Sequence, residues 1–158
     1  MLLVVAILSI ACSECDECND SFLLQVENLR SGEILLNLPV TIGDQFCIDY
    51  HHSVSGTPIK DTFRIDSNRE IVLVEEAYQW SGGGGGLQTK DSPGVRVVSD
   101  GEWTKVILER HFSPYFVLAV GWVANHKLIV NGKTIPLLDI ANAGEPLKFC
   151  VEGWANVK

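Results

Sequence analysis

No run of basic residues occurs anywhere in this 158-residue chain, where 12 lysines and arginines stand against 20 acids for a net charge of −8. Neutralising phosphates requires clustered Lys and Arg, so a nucleic-acid-binding surface is excluded. Long hydrophobic runs are missing too. The apolar stretch from Leu2 to Ala11, LLVVAILSIA, is too short to cross a bilayer as a helix. Sustained helical periodicity appears nowhere, and the connections between apolar runs are too short for βαβ crossovers. No internal repeat is visible. The four histidines, His51, His52, His111 and His126, lack the tight spacing of a metal site, so no metal or other cofactor is expected. What is present is a 46% hydrophobic content, which supports one folded domain with a proper core.

The first residues point to export. The stretch from Leu2 to Ala11 suits a signal-peptide core, although no Lys or Arg precedes it, and it is closed by Cys12 before the acidic SECDECND. The order Ser9-Ile10-Ala11-Cys12 is similar to a bacterial lipoprotein signal, in which a small residue precedes a cysteine that becomes lipidated. Lipidation at Cys12 and plain secretion both remain open. Residues 1–12 are therefore read as a signal, 13–21 as an acidic cysteine-containing tether, and 22–158 as the domain. Without Cys12, four cysteines remain, an even number that suits an oxidising compartment. A cluster-binding reading of Cys12, Cys15 and Cys18 fails because the fourth ligand and the proline after it are absent.

From Phe22 onward, short segments rich in Val, Ile, Leu and aromatics alternate with turn residues such as Ser31-Gly32, Gly43-Asp44 and Asp100-Gly101. Asn131-Gly132 between KLIV and KTIPL is the strongest hairpin signal, because a type I′ turn needs positive φ at both central residues. The pattern predicts an all-β domain, an antiparallel sandwich or a small barrel, of roughly ten short strands with a helical turn near PLLDIANA. YFVLAVGWV, residues 115–123, is apolar on both faces and reads as a central strand.

The segment HHSVSGTPIKDTF, residues 51–63, reads as a hairpin with Val54-Ser55-Gly56-Thr57 as its loop. In that register Phe46 opposes Ile65, Ile48 opposes Phe63, Tyr50 opposes Asp61 and His52 opposes Ile59, all on one face. His52 and Asp61 then become diagonal neighbours within reach of the Tyr50 hydroxyl, while Ser53 points away and cannot complete a hydrolase triad. A carboxylate on an apolar face must find a partner. The pair is either structural, at the rim of the core, or a ligand-binding or acid–base pair at a pocket mouth.

Five consecutive glycines, Gly82 to Gly86, follow Trp80. They do not form a phosphate-binding loop, because Lys-Ser or Lys-Thr does not follow the last of them. They form either a mobile surface loop or a backbone cradle close to a ligand, with Trp80 as its aromatic wall. Tyr50, Trp80, Gly84 and Gly86 therefore join His52 and Asp61 as candidate ligand-binding positions. Cys47 and Cys150 both fall out of phase with the apolar residues beside them. They would form a disulfide if their strands are neighbours, and would otherwise stay separate thiols.

Several of these short motifs together carry a resemblance. They are Tyr50-x-His52-Ser53-Val54, Pro58 with an acid at 61 and Phe63, Ser81 with the run ending Gly86-Leu87, and Val120-Gly121 with His126-x-Leu128. Over residues 22–154 the chain resembles the domain of unknown function 1850 family, which usually has Glu at position 61 and Gly-Ala-Gly within the glycine run. Members of that family are small proteins often encoded beside tripartite periplasmic transporters with a separate solute-binding receptor. The resemblance implies an accessory role in solute uptake, outside the cytoplasm, with a transporter subunit or a small solute as partner and a lipid anchor at Cys12 as the membrane attachment. It supplies no catalytic residues. The expected function is binding; the alternative is a small hydrolase or isomerase using His52 and Asp61.

Overall fold

The computed structural model describes residues 22–79 and 93–153. The apolar segment with Cys12, Cys15 and Cys18, and the stretch with Trp80, Gly84 and Gly86, lie outside the described residues. The strands are β1 (Phe22–Asn28), β2 (Ile34–Val40), β3 (Gln45–His51), β4 (Pro58–Ile65), β5 (Ile71–Gln79) and β6 (Arg96–Asp100). They continue with β7 (Trp103–Phe112), β8 (Phe116–Ala119), β9 (Lys127–Val130), β10 (Lys133–Pro136) and β11 (Pro146–Gly153). A single 3-10 turn, Leu137–Asp139, falls within the PLLDIANA stretch.

Two antiparallel sheets result. The smaller has the order β2-β1-β11-β8, and the larger β10-β9-β3-β4-β5-β7-β6. Neither closes on itself, so the architecture is an open sandwich rather than a barrel. The hairpin signal at Asn131-Gly132 holds, with φ of 49° and 72° joining β9 to β10 in the twist-matched turn that only such residues accept. YFVLAVGWV does not form a central strand. Only Phe116–Ala119 is extended, at the edge of the smaller sheet, and Val117 and Trp122 are exposed. Being apolar on both faces therefore reflects exposure there, not burial on both sides.

One core lies between the sheets. Alternation along each strand sends Leu24 and Val26 of β1, Phe46 and Ile48 of β3, Phe63 and Ile65 of β4, and Leu147 and Phe149 of β11 into it. Four rings stack through it in sequence. Phe46 lies on Phe63 at 5.0 Å, Phe63 on Phe116 at 4.9 Å, and Phe116 on Phe149 at 4.6 Å between centroids. The stack starts in the larger sheet and ends in the smaller, so it ties the two layers together. Each such aromatic pair adds about 0.5–1.5 kcal/mol beyond the area it buries.

The β3–β4 hairpin keeps the predicted faces but not the predicted register. Phe46 pairs with Phe63, Ile48 with Asp61 and Tyr50 with Ile59, two residues from the expected pairing. The loop runs from Ser53 to Gly56, one residue earlier than expected, and it closes on the His52 N–H donated to the Thr57 carbonyl at 2.8 Å. Gly56, at φ 69°, supplies the left-handed residue that ends it. A shift of two leaves every side chain on its own face, whereas a shift of one would have inverted them all.

Cys47 and Cys150 are free thiols, which corrects the expected disulfide. Both are out of phase with their core-facing neighbours, as the alternation implied, but their strands are not neighbours. Cys47 is on β3 between Thr62 and Ile129, and Cys150 is on β11 opposite Gln25 in the other sheet. The outer faces of two stacked sheets look in opposite directions across a layer about 10 Å thick, so the thiols cannot meet.

Candidate functional site

A polar cluster interrupts the inner face of the larger sheet next to this core. Asp61 is placed there by the same alternation that buries Ile59, Phe63 and Ile65. It lies directly opposite Ile48 on one side and Glu76 of β5 on the other. Tyr78, two residues beyond Glu76, opposes Ile59 on the same face. Tyr50 is the diagonal neighbour on β3, and its hydroxyl donates to Asp61 Oδ2 at 3.2 Å. Asp61 Oδ1 is buried and has no hydrogen-bond partner. Such an orphan acceptor is uncommon in a folded protein and calls for a physical account.

The electrostatics follow from the placement. Burial raises the Asp61 carboxyl to a pKa of about 6, helped by the like charge of Glu76 and opposed by the Tyr50 hydroxyl and by Arg110. Burial likewise holds the Tyr50 hydroxyl far above its usual value, with the Asp61 charge adding to it. Tyr78 is pushed up to about 12, by burial first and then by Glu76 and Asp61. Both phenols therefore stay protonated as donors. At neutral pH the site holds two carboxylates against one nearby guanidinium, and one carboxylate oxygen still lacks a donor.

His126 closes the site from the side. Its ring packs on Tyr50 at 5.1 Å between centroids, and the chain from Val120 to His126 folds back to hold it there. The Gly121 N–H donates to His126 Nδ1 at 3.1 Å, the Asn125 N–H to the Gly121 carbonyl at 2.9 Å, and the His51 N–H to the Ala124 carbonyl at 2.8 Å. Burial lowers the His126 pKa, so the ring is neutral, with its proton on Nε2. Position 121 must be small: a Cβ there would lie 3.1 Å from the Ala124 Cβ and 3.4 Å from His126 Cε1.

Of the six candidate ligand-binding positions, the structure brings Tyr50 and Asp61 together and leaves His52 out. His52 is exposed, and its Nδ1 accepts the N–H groups of Val54 and Ser55 at 3.3 and 3.2 Å, which makes it a cap of the hairpin loop. It faces Thr57, four residues from Asp61, or about 13 Å along the strand. The expected His52–Asp61 pair is thus replaced by Tyr50–Asp61. Ser53, exposed in the loop, stays out of the site as expected. Trp80, Gly84 and Gly86 lie outside the described residues; β5 ends just before them at Gln79, beside a groove of about 590 Å³ lined by Thr57, Pro58 and Glu102 among others. Pro58 and Gln79 alternate with Ile59 and Tyr78, so that groove does not share the face of Asp61.

Sequence reasoning missed Glu76, Tyr78 and Arg110. The signal was present in VEEAY: of two adjacent glutamates on a strand, one must face inward. The bulge at Val74 decides which one, by shifting the β4 partner from Leu73 to Glu75 between Phe63 and Thr62.

An open antiparallel sandwich with tyrosines and carboxylates set into the inner face of its larger sheet defines a β-sandwich domain with a polar site at the margin of its core. The family model for a domain of unknown function (DUF1850) matches residues 46–137, more than half of the chain, and the chain belongs to that family. The matched span contains Tyr50, Asp61, Glu76, Tyr78, Arg110, Gly121 and His126. No curated protein and no solved structure matches the chain.

Proposed function

We infer that this protein is an exported accessory module of a solute transporter, and that Tyr50, Asp61, Glu76 and Tyr78 form the surface on which it holds a small polar solute. The observation that carries the binding reading is Asp61 Oδ1, a buried carboxylate oxygen with no donor. A ligand that presents an N–H or O–H group there would remove a desolvation cost of about 1–3 kcal/mol, more for a charged group, that the protein otherwise bears. The two phenols, whose O–H groups are turned to Asp61 and Glu76, give that ligand flat apolar walls, and Glu76 favours a cationic or hydroxyl-rich partner over an anion. The acid–base alternative loses its geometry, since His52 caps a loop and Asp61 bonds a tyrosine.

Export is supported by the apolar stretch closed by Cys12, the point of membrane attachment in this reading. Among the described residues no helix is long and apolar enough to cross a membrane. The transporter link rests on the company that members of the family keep in genomes. A pull-down from native membranes with the tagged full chain tests it. A transporter subunit should be retained by the wild type, and solute added to the wash should change its retention less with Asp61→Asn than with the wild type. Recovery of no transporter component would refute the accessory role. An identical solute response in Asp61→Asn would remove Asp61 from the binding surface.

A further inference from the structure

On the outer face of the larger sheet, at the opposite end of β4 from the hairpin loop at Ser53, three potential metal ligands converge. We propose that Asp66, Glu70 and His111 bind a first-row divalent transition-metal ion. The ligand atoms of all three lie within 4.8 Å of one another. His111 Nδ1 is 3.0 Å from Glu70 Oε2 and 3.8 Å from Asp66 Oδ2. Around an ion with bonds of about 2.0–2.1 Å, adjacent donors stand about 3–3.5 Å apart, so small side-chain rotations bring this set into position.

The fold dictates the convergence. Asp66 and Glu70 bracket the β4–β5 hairpin loop, where the Asp66 N–H donates to the Glu70 carbonyl, which puts both side chains on one face. His111 of β7 lies opposite Val72 of β5, two residues from Glu70 and therefore on that same face. Asp66 is held in place through its other oxygen: Oδ1 accepts the N–H groups of Asn68 and Glu70 at 2.9 and 2.8 Å, which leaves Oδ2 for His111. Anchoring of this kind is how proteins orient ligating carboxylates. Val72, with no exposed surface, gives the site a dry floor.

Charge points the same way. Two guanidinium groups of the same hairpin are engaged elsewhere: Arg64 binds Glu109 at 3.0 Å, and Arg69 lies over the Phe22 ring at 4.7 Å. Among the described residues, the side chain that faces both Asp66 and Glu70 within 4 Å is the His111 imidazole. A neutral imidazole with two carboxylates is a nitrogen–oxygen set of charge −2. It suits zinc or manganese, whereas calcium takes six to eight oxygens. The exposed side of His111 gives the ion a path in and leaves coordination positions for water.

Titration of the full chain with Zn²⁺ by isothermal calorimetry tests the site, and Co²⁺ absorption separates it from the cysteines. The wild type should bind one ion that His111→Ala and Asp66→Asn each weaken by at least about 10-fold, since even outer-shell changes cost that much. The Co²⁺ form should show d–d bands for this ion without a thiolate charge-transfer band, and millimolar Ca²⁺ should not displace it. Circular dichroism of metal-free His111→Ala should match the wild type, because the residue is exposed. Zinc binding unchanged in both variants, no binding by the wild type, or displacement by Ca²⁺ would each overturn the proposal.

Discussion

Replacing Asp61 with asparagine removes a carboxylate that folding forces into a poor environment, and the effect should depend on pH with a definite sign. The Asp61 pKa rises from 3.8 to about 6 on folding, through burial first and then the charge of Glu76. The folded protein therefore holds this proton more tightly than the unfolded chain does. The group's contribution to stability is fully present below pH 3.8 and is lost as the pH rises through about 6. At 1.36 kcal/mol per pKa unit the ceiling is about 3 kcal/mol, and the remaining contact of Asp61 with water reduces it to roughly 2. Asparagine keeps an acceptor for the Tyr50 hydroxyl and carries no charge. The unfolding free energy of Asp61→Asn minus that of the wild type should therefore grow by roughly 2 kcal/mol across this window and then level off towards neutrality. Urea unfolding followed by far-ultraviolet circular dichroism, at a series of pH values through the window, measures it directly. The m-value should stay the same in both proteins, so that midpoints report stability. Parallel pH profiles for the two proteins would refute the reasoning, because they would mean that Asp61 titrates alike in the folded and unfolded states.

Phe149→Ala, at the buried end of the four-ring stack, should cost about 3–5 kcal/mol in the same assay, a large part of a domain's stability. A loss below about 1 kcal/mol, the range of a surface substitution, would show that the stack does not join the sheets. Gly121→Ala should cost roughly 1–3 kcal/mol, because its methyl group meets the Ala124 Cβ at 3.1 Å and crowds His126. Adding Ala124→Gly should recover part of that loss, and thermal melts of the two variants side by side would decide it.

The strand pattern was legible because alternation is local. Phe46, Ile48 and Tyr50 had to share a face whatever lay opposite, and the even shift of register left Asp61 on the predicted side. The register itself depended on where the loop closes, which Gly56 and the capping ring of His52 decide together. Sequence pattern gives the first of these no position and the second no role. The cysteines fail for a different reason. Their orientations were readable from FCI and FCV, but whether two strands are neighbours is a property of topology, and β3 and β11 belong to different layers. At the site, Tyr50 and Asp61 were within reach of local reasoning. Glu76 required the bulge at Val74, and Arg110 required the pairing of β5 with β7, both set by partners distant in the chain.

The smaller sheet is assembled from the two ends of the described chain, with Phe22 of β1 pairing with Gly153 of β11, and this bears on how the molecule comes into being. In the larger sheet β3-β4-β5, β6-β7 and β9-β10 are consecutive hairpins, whose contacts form early because they are local, whereas β9 reaches its place beside β3 only after β4 to β8. The sheet's cover stays incomplete until the last strand has been synthesised, because β11 is the strand that joins the β1–β2 hairpin to β8. A fragment cut to residues 46–137, the span that the family model matches, would stay in that incomplete state permanently. It would lack β1, β2 and β11, leave the β8 edge without its β11 partner, and offer its apolar face to other copies of itself. The span that marks the family is therefore shorter than the unit that folds, although it holds every residue of the polar site.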